Sequence, residues 1–237
     1  MNSYFSLRTR NLVAEQMDQP GVDPKQLEDA LKFIRKINAA LGYNRAVVRE
    51  VFRGVSDEVA PTRAMNVLDI ATGSADLPEA ICLASQSATV VGLDNHPVTL
   101  AYAKRVVRNS RVSFVLGDAL KLPFDDASFD RVTCTLFLHH LPEELIVQAL
   151  REMARVCKSK IEGGRVVVAD LIRSRRALAW ITLFTLGSSS MVKHDARASV
   201  RHALTIDEMR TLVARAGIKD AALTRTFGHR MLLSWEG

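Results

Sequence analysis

From Met65 to Pro78 an apolar run reaches a carboxylate at Asp69, breaks at Gly73 and passes straight into a helix-like pattern. A strand–turn–helix of this kind leaves backbone N–H groups free at a helix N-terminus, where a ligand can approach the main chain closely. A second buried-type run, Val90-Val-Gly-Leu-Asp94, also ends on a carboxylate, and Asp69 and Asp94 stand 25 residues apart. That is one βαβ unit, so both acids are expected at the same edge of a parallel sheet. A carboxylate at the end of the second strand suits the two hydroxyls of a ribose. The local pattern therefore predicts a nucleoside-containing cofactor, as in dinucleotide-binding and methyl-donor-binding folds alike.

The next segment separates these two. Val112-Ser-Phe-Val-Leu-Gly-Asp118-Ala-Leu-Lys-Leu-Pro123-Phe-Asp-Asp-Ala-Ser-Phe129-Asp130 closely resembles the class I S-adenosylmethionine (SAM) methyltransferases, in which a "GDA…LPF…SFD" run follows the third strand. The opening Asp69-Ile-Ala-Thr-Gly-Ser-Ala-Asp76 matches that family's D-x-G-x-G-x-G-D with two departures. Ala71 and Ala75 replace the first and third glycines, which reduces the loop's backbone freedom, while Gly73 is kept. The resemblance spans roughly Asn66 to Asp170. It is closest to the group of quinone-biosynthesis C-methyltransferases and small-molecule methyltransferases, and it implies SAM as cofactor. On the matching positions, Asp69 would attract the sulfonium or the tail ammonium, directly or through water, and Ala71, Thr72 and Gly73 would approach with their backbones. Asp94 would accept both ribose hydroxyls. Asp118 with the N–H of Ala119 would read the adenine edge, Asn95 or Leu120 would pack along the ring, and Leu136 would border the cofactor after the fourth strand.

The rest of the chain fits an α/β, Rossmann-like, doubly wound sheet of seven strands, mostly parallel, with an antiparallel C-terminal hairpin. Strands are expected near 66–71, 88–94, 111–116, 129–135, 163–171, 218–226 and 228–235. Helices are expected near 76–86, 97–109, 142–158 and 204–217. The last carries a capping box, Thr205 with Glu208 three residues on, and Gly217 at its end. Pro24 to Gly54 reads as helical with a break near Gly42. Residues 1–60 are expected to form a helical lid before the SAM-binding domain over 61–237, with 55–63 as the link and an insertion over 173–203 covering the substrate side.

The chemistry of the acceptor end is expected after the fourth strand, in Thr133-Cys-Thr-Leu-Phe-Leu-His139-His140-Leu-Pro142. Methyl transfer needs mainly alignment, with a base only where the nucleophile must lose a proton. His139 and His140 are candidates for such a base, or for residues that orient the acceptor; the reading leans to orientation. His194, His202 and His229 are weaker candidates. The 16 residues from Ala177 to Val192 carry no charge and are too short to span a bilayer. They read as a buried core helix, an apolar substrate pocket or a lid resting on a membrane.

Composition narrows the partners. With 237 residues and 48% apolar content the chain suits one domain with an appended helical element. Its first residues show no secretory leader and Cys82, Cys134 and Cys157 form no CxxC pair, so a reducing cytoplasm is expected, with no metal site or disulfide. The net charge is +6, and 11 Lys/Arg face only four acids between Arg151 and Arg201. Such an excess could draw an anionic substrate, a membrane surface through 173–193, or RNA. Aromatics are only 6% and the motif that grips a flipped base after the fourth strand is absent, so DNA is excluded and RNA disfavoured. The expected activity is methyl transfer from SAM to a small lipophilic, phenolic or polyketide-like acceptor, at oxygen or carbon. The alternatives are an RNA or protein methyltransferase and a SAM-fold binding protein without turnover.

Overall fold

The computed structural model describes residues 7–12, 15–19, 21–55, 64–226 and 228–237. The leader reading and most of the 55–63 link lie outside the described residues. The expected strands all form: β1 (Met65–Ile70), β2 (Ala88–Asp94), β3 (Val112–Leu116), β4 (Arg131–Thr135), β5 (Arg165–Leu171), β6 (Ala222–Thr226) and β7 (Arg230–Glu236). They make one sheet in the order β3-β2-β1-β4-β5-β7-β6. β7 runs antiparallel to both β5 and β6, and the other pairs are parallel. The strand order reverses between β1 and β4, and in open α/β sheets that reversal opens a crevice beyond the strand C-termini. β1 is buried on both faces, as a central parallel strand should be: Leu68 and Ile70 enter one core, and Met65 and Val67 the other.

The helices are α1 (Pro24–Ala40), α2 (Tyr43–Val51), α3 (Asp76–Ala84), α4 (Pro97–Val106), α5 (Glu143–Val156), α6 (Arg175–Phe184), α7 (Ser190–His202) and α8 (Ile206–Arg215). Local signals place their ends. The Asp23 side chain accepts from Gln26 N–H at the start of α1, Gly42 takes a left-handed conformation between α1 and α2, and Thr205 with Glu208 closes the expected capping box on α8. The uncharged 177–192 stretch is not a core helix. Among the α6 residues only Ala177 is buried, while Leu183, Phe184 and Leu186 stand 64%, 44% and 61% exposed.

The two departures from the glycine pattern carry a backbone cost. Ala71 and Ala75 have φ of 54° and 55°, in the left-handed region that glycine would occupy without penalty. Ala75 is fully buried against Ala103 and Val107, so it faces the core rather than the ligand side. Left-handed L-residues cost about 1–2 kcal/mol, and an added glycine returns about 0.4–1 kcal/mol of unfolded-chain entropy. Ala71→Gly is therefore expected to stabilise the fold by up to about 1 kcal/mol, seen as a rise in Tm of up to a few degrees. A fall in Tm would show that this turn is unstrained.

Candidate functional site

Three predicted cofactor residues converge at the C-terminal edge of β1 and β2. The nine-tenths-buried Asp94 carboxylate holds the glycine loop against the next turn: Gly73 N–H donates to Oδ2 and His96 N–H to Oδ1, both at 3.0 Å. Thr72 N–H donates to the Leu93 carbonyl at 3.0 Å. Thr72 can lie across β2 because residue 92 is glycine; a Cβ there would come within 2.9 Å of its hydroxyl. Gly73 itself has φ of 54°, and a Cβ on it would meet no protein atom within 4 Å. The space above the loop is open.

Asp69, expected to act on the cofactor directly or through water, lies beneath the loop. It is 1% exposed, behind the loop, and accepts from Thr72 Oγ1 at 2.7 Å and from Thr133 Oγ1 at 2.8 Å. Burial raises its carboxyl to about 7 against the pull of those two hydroxyls. Asp118 is exposed at the far wall, and one of its oxygens accepts from Leu120 N–H at 2.9 Å. A cavity of about 550 Å³ connects Gly73, Asp94, Asn95, Asp118, Ala119 and Leu136, which unites all the predicted cofactor residues except Asp69 and Thr72. Thr72 lines a second cavity alongside.

That second cavity, of about 210 Å³, lies beneath α1 and the α6–α7 insertion. Ile34, Ile37, Ile181 and Val192 give it apolar walls, and His139, His140 and Thr72 lie on its floor. The two cavities share Ala71, Gly73, Leu136 and His140, so they meet directly over the glycine loop. Leu136 at this junction has φ of 53°, a costly conformation for a bulky residue, held where the two cavities meet. His139 faces only the smaller cavity, whereas His140 borders both.

The histidine turn is built from three distant parts of the chain. Asp170, at the end of β5, grips His139 twice, accepting from its backbone N–H at 3.1 Å and pairing with Nδ1 at 2.6 Å. Burial raises the Asp170 carboxyl, but the charge of His139 and its hydrogen bond outweigh burial and hold it below the usual range. An ionised carboxylate can only accept, so Nδ1 carries a proton, and the pairing turns Nε2 away from Asp170. Glu15 Oε1 lies 3.8 Å from that Nε2. Arg10 fixes the turn by donating to the carbonyls of His139, Leu141 and His202. Sequence reasoning missed Asp170 and Glu15. Asp170 had a signal: Val166-Val-Val-Ala-Asp170 repeats the apolar-run-to-carboxylate pattern of β1 and β2. Glu15 had none. Of the weaker candidates, His202 lies 3.5 Å from Glu15, His194 pairs with Asp195, and His229 stacks near Trp180, away from both cavities.

Residues 67–160 match the family described as "Methyltransferase domain". A demethylmenaquinone methyltransferase of Thermus thermophilus is 35% identical over 60% of this chain and 60% of the relative. The methyltransferase GfsG of Streptomyces halstedii is 33% identical over 67% of this chain and 54% of its own length. The chain spans about half the length of the curated relatives it matches. A SAM-dependent methyltransferase from Aquifex aeolicus superposes with a TM-score of 0.64 at 16% identity, over 90% of this chain and 97% of that one. No helix among the described residues is long and apolar enough to cross a membrane.

Proposed function

We propose that this chain, which belongs to the class I SAM-dependent methyltransferases, transfers a methyl group from SAM to a small, largely apolar acceptor bearing one acidic O–H or C–H. The observation that carries this reading is the junction of two unlike cavities at Ala71, Gly73, Leu136 and His140. One is edged by the strand-end carboxylate Asp94 and by Asp118; the other is walled by aliphatic side chains and floored by a fixed imidazole.

The residues fit the cofactor. Asp94 holds two backbone N–H groups with its two oxygens, and a carboxylate at this strand end is the acceptor a ribose's two hydroxyls need. Asp118 and Ala119 would meet the adenine, and Ala71, Thr72 and Gly73 the methionine end, with Asp69 acting through the loop as a buried charge. When bound, SAM supplies an electrophilic methyl group. The chain's part is then to align and to exclude water: α1 and the 173–203 insertion roof the acceptor cavity, and the His139–Asp170 couple with His140 orients the acidic group at the junction. Residues 1–60 serve as the lid in this reading.

The basic surplus lends little support to an RNA or protein acceptor. Arg155, Lys158, Lys160, Arg165 and Arg173 are engaged with acids of the same chain, and the aliphatic walls of the acceptor cavity suit an apolar group better than a nucleotide. Demethylmenaquinone-like acceptors, after the relatives named for that substrate, are the first to try. Incubation with labelled SAM and pools of lipid extract, RNA and protein is expected to label a small apolar product. Label only in RNA or protein would overturn this reading, and SAM binding without turnover on any pool would favour a binding protein.

Asp69 sets a pH dependence. Its folded pKa of about 7 lies above the unfolded value of about 3.9, so its stability contribution is fully present below about pH 4 and is lost as pH rises towards 7. A cationic ligand favours the ionised form. SAM affinity is therefore expected to climb as pH rises to about 7 and then level off, with proton release on binding below pH 7. Calorimetry in two buffers of different ionisation enthalpy reads both effects, and Asp69→Asn is expected to flatten the profile. A flat wild-type profile would remove Asp69 from cofactor binding.

A further inference from the structure

The histidine turn holds a feature that orientation alone does not require. Nε2 of His139 is 3.8 Å from Glu15 Oε1 and has no hydrogen-bond partner among the described residues. Two ligand-type atoms thus face one another across a gap too long for a hydrogen bond. Both side chains are 3% exposed, and no lysine or arginine pairs with Glu15 among the described residues. One ligand atom each from Glu15, His139 and His140 all fall within 4.8 Å of one another.

We propose that Glu15, His139 and His140 bind a divalent transition-metal ion of the zinc or cobalt type at the floor of the acceptor cavity. The inference rests on reading that cavity as the acceptor's. Two imidazoles and a carboxylate suit borderline ions rather than magnesium or calcium. Bonds of about 2.1 Å at tetrahedral angles place ligand atoms about 3.4 Å apart, so the 3.8 Å gap closes with a small movement. The supporting contacts are those a metal site uses. Asp170 accepts from His139 Nδ1 and so turns Nε2 towards the ion, and Ser199 Oγ donates to Glu15 Oε1 at 2.7 Å. Three protein ligands leave a position open towards the 210 Å³ cavity, where an acceptor oxygen would be held and made more acidic. His202, 3.5 Å from Glu15, is the competing source of positive charge: a protonated imidazole there would satisfy the carboxylate without a metal.

The test uses the full chain, freed of metal by a chelator and without SAM. Zn2+ and Co2+ are titrated by calorimetry, and the Co2+ form by visible absorption. One ion per chain is expected, with the bands of a low-coordinate nitrogen–oxygen site and no thiolate charge-transfer band. Asp170→Asn should weaken binding about 10- to 100-fold, and His139→Ala and Glu15→Gln should weaken it further. His194→Ala, outside the cluster, should leave it unchanged. Circular dichroism confirms that each variant is folded. No saturable binding, thiolate bands from the three cysteines, or binding unchanged in both His139→Ala and Glu15→Gln would overturn the proposal. Methyl transfer by a chain that shows no saturable metal binding would leave the proposed function standing while this inference falls. Metal binding without any methyl transfer would do the reverse.

Discussion

Asp94→Ala is expected to weaken SAM binding by about 30- to 1,000-fold, a loss of roughly 2–4 kcal/mol. Two effects add in the same direction. The ribose hydroxyls lose a charged acceptor for both of their hydrogen bonds, and the glycine loop loses its anchor, because Gly73 N–H and His96 N–H both donate to this carboxylate. Asp94→Asn is not a mild control: its amide nitrogen would be set against one of those two backbone donors. It is expected to fall between wild type and alanine. Calorimetric titration of SAM reads the loss directly, and circular dichroism confirms that the variant is folded. Wild-type affinity in Asp94→Ala would remove the ribose assignment. Tight binding of NAD by the same assay would overturn the assignment of the cavity to SAM, since both cofactors carry a ribose that the proposed site would hold.

The parts of this site that were legible from sequence are those built by short-range pattern. Asp69, Gly73 and Asp94 follow from runs that end on a carboxylate or break on glycine, and the sheet then brings them to one edge without further instruction. The capping box at Thr205 and the break at Gly42 are equally local. What escaped depends on direction and on distance along the chain. Asp69 ends its strand as expected, but pairing with Thr133 across β4 turns its carboxylate inward, and no linear pattern encodes that turn. Ala71 and Ala75 signal a stiffer loop, yet the chain keeps the left-handed conformations that glycine would take; the surrounding sheet and helix overrule the residue preference. Glu15 meets His139 only because a short N-terminal turn is pinned to α7 through Gln16 and Met17 N–H groups donating to Asp195. Such a contact has no signature near either residue.

If His139 takes the acceptor's proton as a general base, His139→Ala is expected to lower the methyl-transfer kcat by about 10²- to 10⁴-fold while SAM affinity stays within a few-fold of wild type. The separation follows from position. His139 lines only the acceptor cavity, whereas His140 borders both cavities, so His140→Ala should disturb SAM affinity and acceptor KM together. Asp170 is a positioning residue in this scheme, reaching the acceptor only through His139. In Asp170→Asn the amide can donate where the carboxylate accepts, which moves the imidazole proton to Nε2 and reverses the character of the atom turned towards Glu15 at the cavity floor. That variant should lose kcat nearly as His139→Ala does, with acceptor KM changed little, and the double variant should be no worse than His139→Ala alone. A fully additive double variant would mean that Asp170 acts on its own, through the fold of β5. If His139→Ala raises acceptor KM and spares kcat, the imidazole contributes uniform binding, and alignment by the cavity walls carries the rate. Full activity in both single histidine variants on the true acceptor would take the pair out of the site, leaving the junction at Leu136 and the glycine loop as the only structure that sets the approach to the methyl group.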